Sequence, residues 1–215
     1  MTIRQMSELV EKGFARSVEL ISLTAHNSFR FNNRNTIQMI TVEGEDLEQI
    51  AEYCFSLGDM SPLAARDGRN LVQTMKEPCS LLVFGDKRKS DFNYNCGACG
   101  YRTCAEMNKA EEVESLTANG PSCVFKNINL GFAANTAASM AHTLGLHCRV
   151  FSTLAFGAKA LEVIEEVDIC ISVCVSAAKK NPFFDRHEYW TQEHWDETFA
   201  KEFPPYTRGF IGAVE

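Results

Sequence analysis

The sequence predicts a mixed α/β (or α+β) protein of three layers, in which helices cover both faces of a sheet. Residues 79–86 (CSLLVFGD) and 168–176 (DICISVCVS) are continuous apolar runs, which are typical of strands buried on both faces. Residues 131–146 (GFAANTAASMAHTLGL) are rich in Ala and Gly, so other backbones can approach this helix closely and we expect it at the centre. Helical and strand patterns alternate along the chain, which favours a layered α/β arrangement.

The other elements follow from local patterns. Apolar residues from Ser7 to Thr24 fall on a helical stripe, with Ser7 as the expected N-cap. A polar loop, a strand over 36–42 and a helix after Gly44 come next. The remaining assignments are an irregular stretch at 59–70, a polar helix within 105–120, a strand at 147–152 and a helix at 157–167. We expect one domain over 1–215, with an inserted cysteine-rich loop at 91–125 and a C-terminal extension at 187–215.

Composition excludes several classes of partner. The 215 residues are 45% hydrophobic and 23% charged, with a formal net charge of −7. Lys and Arg cluster only in GDKRKSD (85–91), where aspartates flank them, which argues against nucleic acid and anionic membranes as partners. The N-terminus lacks the apolar segment of a targeting signal, and no run approaches the ~20 apolar residues of a membrane helix. These features predict a cytoplasmic protein.

Nine cysteines are many for a reducing compartment, where disulfides are rare. Cys96, Cys99 and Cys104 are spaced C-x2-C-x4-C, and Cys123 follows in a Gly-Pro turn. Cubane iron–sulfur clusters take four thiolates, commonly three from one loop and one from elsewhere, whereas four-cysteine zinc sites usually show two close pairs. The spacing favours iron–sulfur over zinc, and a turn with incidental thiols is the third alternative.

Other candidate residues have simpler interpretations. Five further cysteines, Cys54, Cys79, Cys148, Cys170 and Cys174, lie in predicted helices and strands and are expected to be small core residues. His142 is expected to be a satisfied interior histidine. Arg66 and Asp67 are expected to anchor a loop through an ion pair.

The blocks CGACGYRTCAEM, GPSCVFKNINLGFA and KKNPFFDR, together with RDGRN, resemble the signature blocks of a bacterial and archaeal family, the ferredoxin-domain-containing proteins of unknown function. The resemblance covers the chain from about residue 7 to Arg186. It implies a [4Fe–4S] cluster, and the matching ligand positions are Cys96, Cys99, Cys104 and Cys123.

A looser resemblance in the order of elements is to the nitroreductase fold. Members of that fold are homodimers that bind FMN near the first loop and the central helix. The resemblance implies Asn27, Ser28 and Lys180 as flavin contacts and a homodimeric assembly.

Together these features predict an iron–sulfur redox protein that passes electrons to a flavin or a small-molecule substrate. The first alternative is a non-enzymatic electron carrier, or a sensor of redox or iron status, that exchanges electrons or contacts with a partner protein. The second alternative is a structural domain held by a four-cysteine zinc site.

Overall fold

A computed structural model describes residues 5–58, 60–115 and 118–184. The helices and strands, in chain order, are α1 (Met6–His26), β1 (Gln38–Val42), α2 (Gly44–Ser56), α3 (Pro62–Thr74), β2 (Cys79–Asp86), α4 (Cys104–Lys109), α5 (Val124–Thr143), β3 (His147–Phe151), α6 (Thr153–Ala160) and β4 (Ile169–Ser176). Short 3-10 turns cover Phe31–Asn33 and Pro182–Phe184. The predicted extension at 187–215 lies outside the described residues.

The four strands form one sheet in the order β1-β2-β4-β3, and every neighbouring pair is antiparallel. The register pairs Cys79 with Ser176 at one edge of the β2–β4 ladder and Asp86 with Ile169 at the other. The chain leaves β2 at Asp86 and returns to the sheet only at β3, so the cysteine segment and α5 both belong to this long connection.

Helices cover both faces of the sheet, which confirms the three-layer α/β class. On one face α1 and α5 pack against side chains such as Phe84 and Val173. On the other face α2, α3 and α6 pack against the alternate side chains, such as Leu81 and Val83. Because successive side chains of a strand point to opposite faces, this double cover explains why β2 and β4 read as continuous apolar runs.

α5 occupies the central position that its small residues predict. Four alanines, Ala133, Ala134, Ala137 and Ala141, are buried where it meets α1 and the sheet. The helix begins at Val124, seven residues before the predicted start. The earlier turns carry Lys126 and Asn129, which are buried despite their polarity, so the apolar pattern failed to mark the inward face there.

The prediction of an irregular stretch at 59–70 was wrong. α3 begins at Pro62, and the Ser61 hydroxyl caps it by accepting a hydrogen bond from the N–H of Ala64 at 3.4 Å. The proline stands at the first helical position, where its missing N–H costs nothing. The pair Ser61-Pro62 therefore marks the start of a helix, whereas the prediction treated it as part of an irregular stretch.

Three further boundaries differ from the prediction. α1 starts after Gln5 rather than at a Ser7 cap. The helix predicted within 105–120 is only α4, which ends at Lys109 because the chain then turns to meet Arg88. α6 begins at Thr153 rather than 157, since Gly157 is a close-contact position in the middle of the helix and not a breaker at its start. Among the described helices, none is long and apolar enough to span a bilayer.

Candidate metal centre

Cys96, Cys99, Cys104 and Cys123 line one pocket, which lies between the loop after β2, α4 and the start of α5. Cys104 is 7% exposed and Cys123 is 6% exposed, whereas Cys99 is half-buried and Cys96 is exposed. The pocket is therefore closed on the helical side and open to solvent near Cys96. Within the described part of the chain, no three His, Cys, Asp or Glu side chains are grouped around a single metal-ion position.

A tight turn over residues 97–100 directly follows Cys96 and contains Cys99. Gly97 has φ +76° and Gly100 has φ +88°, and the N–H of Gly100 donates to the Gly97 carbonyl at 2.9 Å. A Cβ at Gly100 would meet open space, so this glycine is required for its backbone conformation and not for room. The turn places Cys96 and Cys99 on the same pocket as the more distant thiols.

The Cys104 sulfur accepts a backbone hydrogen bond from the segment just before Cys96. The N–H of Asn95 donates to it at 3.4 Å, and the Asn95 side-chain oxygen accepts the N–H of Cys104 at 2.9 Å. The Ser90 hydroxyl and then the N–H groups of Asn95, Tyr94 and Asn93 lower the pKa of the Cys104 thiol against the opposing effect of burial. This environment favours the thiolate, the form that binds metals.

Local hydrogen bonds hold this arrangement in place. Asn108 of α4 accepts the N–H of Ser90 and donates to its carbonyl, each at 2.7 Å. At the start of α4, the Thr103 hydroxyl accepts the N–H of Glu106, and the Glu106 carboxylate accepts the N–H of Thr103. This reciprocal cap fixes the first turn of α4, on which Cys104 lies.

Arg88 links the loop after β2 to the arm that carries the fourth cysteine. Its buried guanidinium donates to Glu112 at 2.9 Å and to the carbonyls of Ala110 and Pro121 at 3.2 Å each. The Arg88 carbonyl accepts the N–H of Cys123 at 2.9 Å. One residue thus ties both ends of the 110–123 segment to the sheet.

Glu112, the carboxylate partner of Arg88, accepts a second hydrogen bond. The Asn119 amide donates to Glu112 at 2.6 Å, and this bond, followed by the Arg88 bond, lowers the pKa of the Glu112 carboxyl.

A buried ion pair joins the start of α5 to the end of β2. The Lys126 ammonium lies 3.0 Å from the Asp86 carboxylate, and their side chains are 4% and 1% exposed. Asp86 also accepts from the Thr36 hydroxyl at 2.6 Å. Cys123 is the N-cap of α5, three residues before Lys126, so this pair fixes the helix turn next to the fourth cysteine.

Aromatic rings extend from the cysteine pocket to the loop after α1. Tyr94 and Phe125, which both line the pocket, pack edge to face with centroids 5.3 Å apart. Phe125 contacts Phe31 at 4.6 Å, and Phe31 contacts Phe132 of α5 at 6.0 Å. The rings form a continuous packed path from the pocket along α5.

The residues predicted as flavin contacts are only partly brought together. Asn27 and Ser28 line an open depression between the end of α1 and Thr136 of α5. Thr136 lies one turn after Phe132, at the far end of the aromatic path. Lys180 follows β4 and is exposed; the described lining of the depression does not include it.

The remaining cysteines lie away from the pocket, in or beside the apolar layers on the two faces of the sheet, as predicted. The prediction that His142 is an interior residue was wrong, because its ring is exposed on the last turn of α5. Its Nε2 lies 3.4 Å from the Cys148 sulfur, a pairing that sequence spacing did not indicate. Burial raises the pKa of the Cys148 thiol, the opposite of what a nucleophile requires.

The predicted Arg66–Asp67 ion pair is confirmed at 3.0 Å. The Asp67 carboxylate also accepts from the Thr153 hydroxyl at 2.8 Å and lies 3.6 Å from Arg149. Arg149 in turn donates to the Phe183 carbonyl at 3.1 Å. This cluster anchors the segment after β4 and takes no part in the cysteine pocket.

Residues 119–186 match the model of a family described as uncharacterized proteins containing a ferredoxin domain. This match confirms the resemblance for the blocks GPSCVFKNINLGFA and KKNPFFDR, which include Cys123, and it begins after Cys96, Cys99 and Cys104. An uncharacterized protein from Archaeoglobus fulgidus is 29% identical over 167 residues, which are 78% of this chain and 88% of that protein.

Solved structures with a partly similar arrangement include three oxidoreductases. A hypothetical oxidoreductase, YcnD from Bacillus subtilis, aligns over 95% of this chain and 90% of its own, with 13% identity and a TM-score of 0.49. Nitroreductase A from Vibrio parahaemolyticus aligns over 86% and 74%, with 14% identity and a TM-score of 0.45. The NADPH:FMN oxidoreductase from Vibrio harveyi, solved with NAD+, aligns over 86% and 75%, with 13% identity and a TM-score of 0.46.

Proposed function

We propose that this protein is an iron–sulfur redox protein whose [4Fe–4S] cluster is held by Cys96, Cys99, Cys104 and Cys123. The observation that carries the proposal is that these four thiols, from two separate segments of the chain, line a single pocket. In a four-iron cubane each thiolate binds its own iron, so the four ligands surround a body larger than one ion. A set of thiols around a shared pocket fits that requirement.

The donor set and its surroundings suit such a group. All four ligands are thiols, the ligand type that iron–sulfur clusters take. Phe92 and Met107 are buried beside Cys123, so one side of the pocket is dry. When bound, the cluster would supply a centre that accepts and releases one electron. The protein's own part is to bury the centre, to donate a hydrogen bond to the Cys104 sulfur and to leave one approach open.

The exposed side of the pocket is where an electron partner would approach. Cys96 is exposed, whereas Cys104 and Cys123 are buried against α4 and α5. Electron exchange with a protein partner needs close approach to the centre. We therefore place the contact with an electron donor or acceptor at the surface around Cys96.

The aromatic path supports the fuller proposal that electrons pass on to a flavin such as FMN or to a small substrate. It leads from Tyr94 at the pocket to Phe132, one turn from the depression lined by Asn27 and Ser28. Neighbouring rings along this path have centroids 4.6, 5.3 and 6.0 Å apart, so each ring contacts the next. A carrier or sensor that makes no use of the depression is the alternative, and the flavin content of the purified protein separates the two.

We also propose a homodimer. Apolar side chains of α1 and of the loop after it, Leu20, Leu23 and Phe29, are exposed beside the depression. A contiguous exposed apolar surface of this kind is typical of a protein contact. Light scattering coupled to size exclusion tests this. A mass of two chains that falls to one in Leu23→Glu supports it, and a single-chain mass for the unmodified protein contradicts it.

The cluster proposal is tested by purifying three proteins without oxygen: the unmodified chain, Cys123→Ala and the control Cys148→Ala. Cys148 is as buried as Cys123 but lies outside the pocket. We expect brown protein with iron and sulfide from the unmodified chain and from the control, and loss of both from Cys123→Ala. Equal iron in all three proteins would refute the assigned ligands. Colourless protein with one zinc would support the zinc-site alternative.

A further inference from the structure

An exposed apolar surface lies on the outer side of α2 and α3, away from the sheet. Phe55 of α2, Met60 of the connecting loop and Val72 of α3 are 48%, 47% and 45% exposed. The Arg69 guanidinium of α3 lies 5.2 Å from the centre of the Phe55 ring, and Val72 follows Arg69 by three residues on the same side of the helix. Phe55, Arg69 and Val72 therefore form one continuous surface, which we name the α3 face.

The α3 side of this surface is cationic. α3 carries two arginines, Arg66 and Arg69, and one carboxylate, Asp67. Arg66 lies 3.0 Å from that carboxylate, and Arg149 of β3 lies 3.6 Å from it, so three arginines stand beside a single negative charge. α2 contributes Glu52 one turn before Phe55, which restricts the cationic part to α3 and β3. An occupant with carboxylates and apolar side chains fits this distribution.

The described chain ends beside the α3 face. The Asn70 amide donates to the Pro182 carbonyl at 2.8 Å, and Arg149 donates to the Phe183 carbonyl at 3.1 Å. Phe183 is 2% exposed and packs edge to face against Phe151. Asn70 directly follows Arg69, so the residues after Phe184 start next to the α3 face. A helix as long as α3 spans ~20 Å and an extended chain covers ~3.3 Å per residue, so the following segment can reach all of it.

The sequence of that segment has the composition that the α3 face fits. Residues 187–203 (HEYWTQEHWDETFAKEF) contain five acidic residues and one lysine. Trp195, Phe199 and Phe203 are spaced by four, which would align them on one side of a helix. The pattern predicts an amphipathic segment with an aromatic stripe and an acidic remainder, the kind of segment that binds along an apolar surface.

We propose that residues 187–203 dock on the α3 face of their own chain. Their aromatic side chains cover Phe55 and Val72, and their carboxylates lie toward the arginines of α3 and β3. Because the segment is tethered at Phe184, its effective concentration at this face is high and modest contacts are enough to hold it. The docking removes exposed apolar surface from water, and it does not depend on the cysteine pocket.

The test uses tryptophan fluorescence, because both tryptophans of the chain, Trp190 and Trp195, lie in this segment. In full-length Trp190→Phe the emission comes from Trp195 alone, and we expect the emission of a buried indole with weak quenching by acrylamide. Adding Val72→Glu should shift the emission to longer wavelength and increase the quenching. Val150→Glu is the matched control and should change neither, since Val150 is also 45% exposed but lies on β3 with its side chain on the α5 side of the sheet.

Phe55→Ser is a second variant, which removes a ring from the α3 face without adding charge and should act in the same direction as Val72→Glu. Far-UV circular dichroism checks the folding of each variant, and Phe55→Ser carries the test if Val72→Glu fails to fold. A Trp195 that is exposed to acrylamide before any change in the α3 face would overturn the inference, as would equal quenching in folded Phe55→Ser and Val150→Glu. Protection of Trp195 that falls on dilution would also overturn it, because the segment would then dock on a second copy of the chain.

Discussion

Replacing Arg88 with Met is predicted to destabilise the protein and to loosen the arm that carries Cys123. The guanidinium is 4% exposed and makes three side-chain hydrogen bonds, to Glu112, Ala110 and Pro121. Methionine fills a similar volume but donates nothing. The substitution therefore removes one hydrogen-bond donor from the Glu112 carboxylate and from each of the carbonyls of Ala110 and Pro121.

The magnitude follows from the burial of the group. Removing one partner of a buried, hydrogen-bonded ion pair typically costs ~3–5 kcal/mol. Glu112 is 36% exposed, so water can solvate its carboxylate in the variant, and we expect a value toward the lower end, about 3 kcal/mol. Since small domains are stable by ~5–15 kcal/mol in total, this is a large fraction of the free energy of unfolding.

Urea unfolding followed by far-UV circular dichroism measures the loss. Arg34→Met is the matched control, because Arg34 is 57% exposed and lies 3.8 Å from Asp91, so its removal should cost less than ~1 kcal/mol. We also expect Arg88→Met to retain less iron, since the lost side-chain bonds to Ala110 and Pro121 hold the arm that carries Cys123. Equal stability losses in the two variants would refute the assignment of Arg88 as the anchor of this arm.

Two further predictions concern the core and the pH dependence of stability. A Cβ at Gly157 would lie 2.8 Å from the Cys54 sulfur, so Gly157→Ala should lower the free energy of unfolding by ~1–3 kcal/mol. Adding Cys54→Ala should recover part of this loss in a double-mutant cycle. Additive losses of stability in the two single variants would contradict this contact. Hydrogen bonds from Asn119 and Arg88 lower the pKa of Glu112 in the folded protein. The ionised Glu112 carboxylate therefore stabilises the fold fully above the ordinary glutamate pKa of ~4.3, and this contribution is lost as pH falls through the lowered folded-state pKa. Urea unfolding across acidic pH should therefore show the stability gap between the unmodified chain and Glu112→Gln closing as pH falls, and a constant gap would contradict the prediction.

Sequence patterns predicted the sheet and the central helix well because those elements are governed by local hydrophobic periodicity. β2 was located residue for residue, since both of its faces are covered and its apolar run is unbroken. The first turns of α5 were missed because Lys126 faces inward, where its charge is neutralised by Asp86 from a strand 40 residues earlier. A buried ion pair between distant segments leaves no periodic signal.

In the candidate site too, residues that follow a sequence pattern were predicted, and residues that depend on distant contacts were not. The four cysteines were identified from spacing and from the resemblance, because ligand spacing is a property of the sequence. Asn95 and Arg88 were missed because each acts through a contact made only in the folded chain. The available signal was weak: Asn93 and Asn95 are residue types that adopt left-handed turns, and they directly precede the first cysteine.

The central claim is that the pocket lined by Cys96, Cys99, Cys104 and Cys123 holds an iron–sulfur cluster. Its most direct test is the content of iron, acid-labile sulfide and zinc per chain in protein purified without oxygen. The claim predicts about four iron and four sulfide per chain, with no stoichiometric zinc. One zinc per chain, with neither iron nor sulfide, would contradict it and leave the pocket as a structural site.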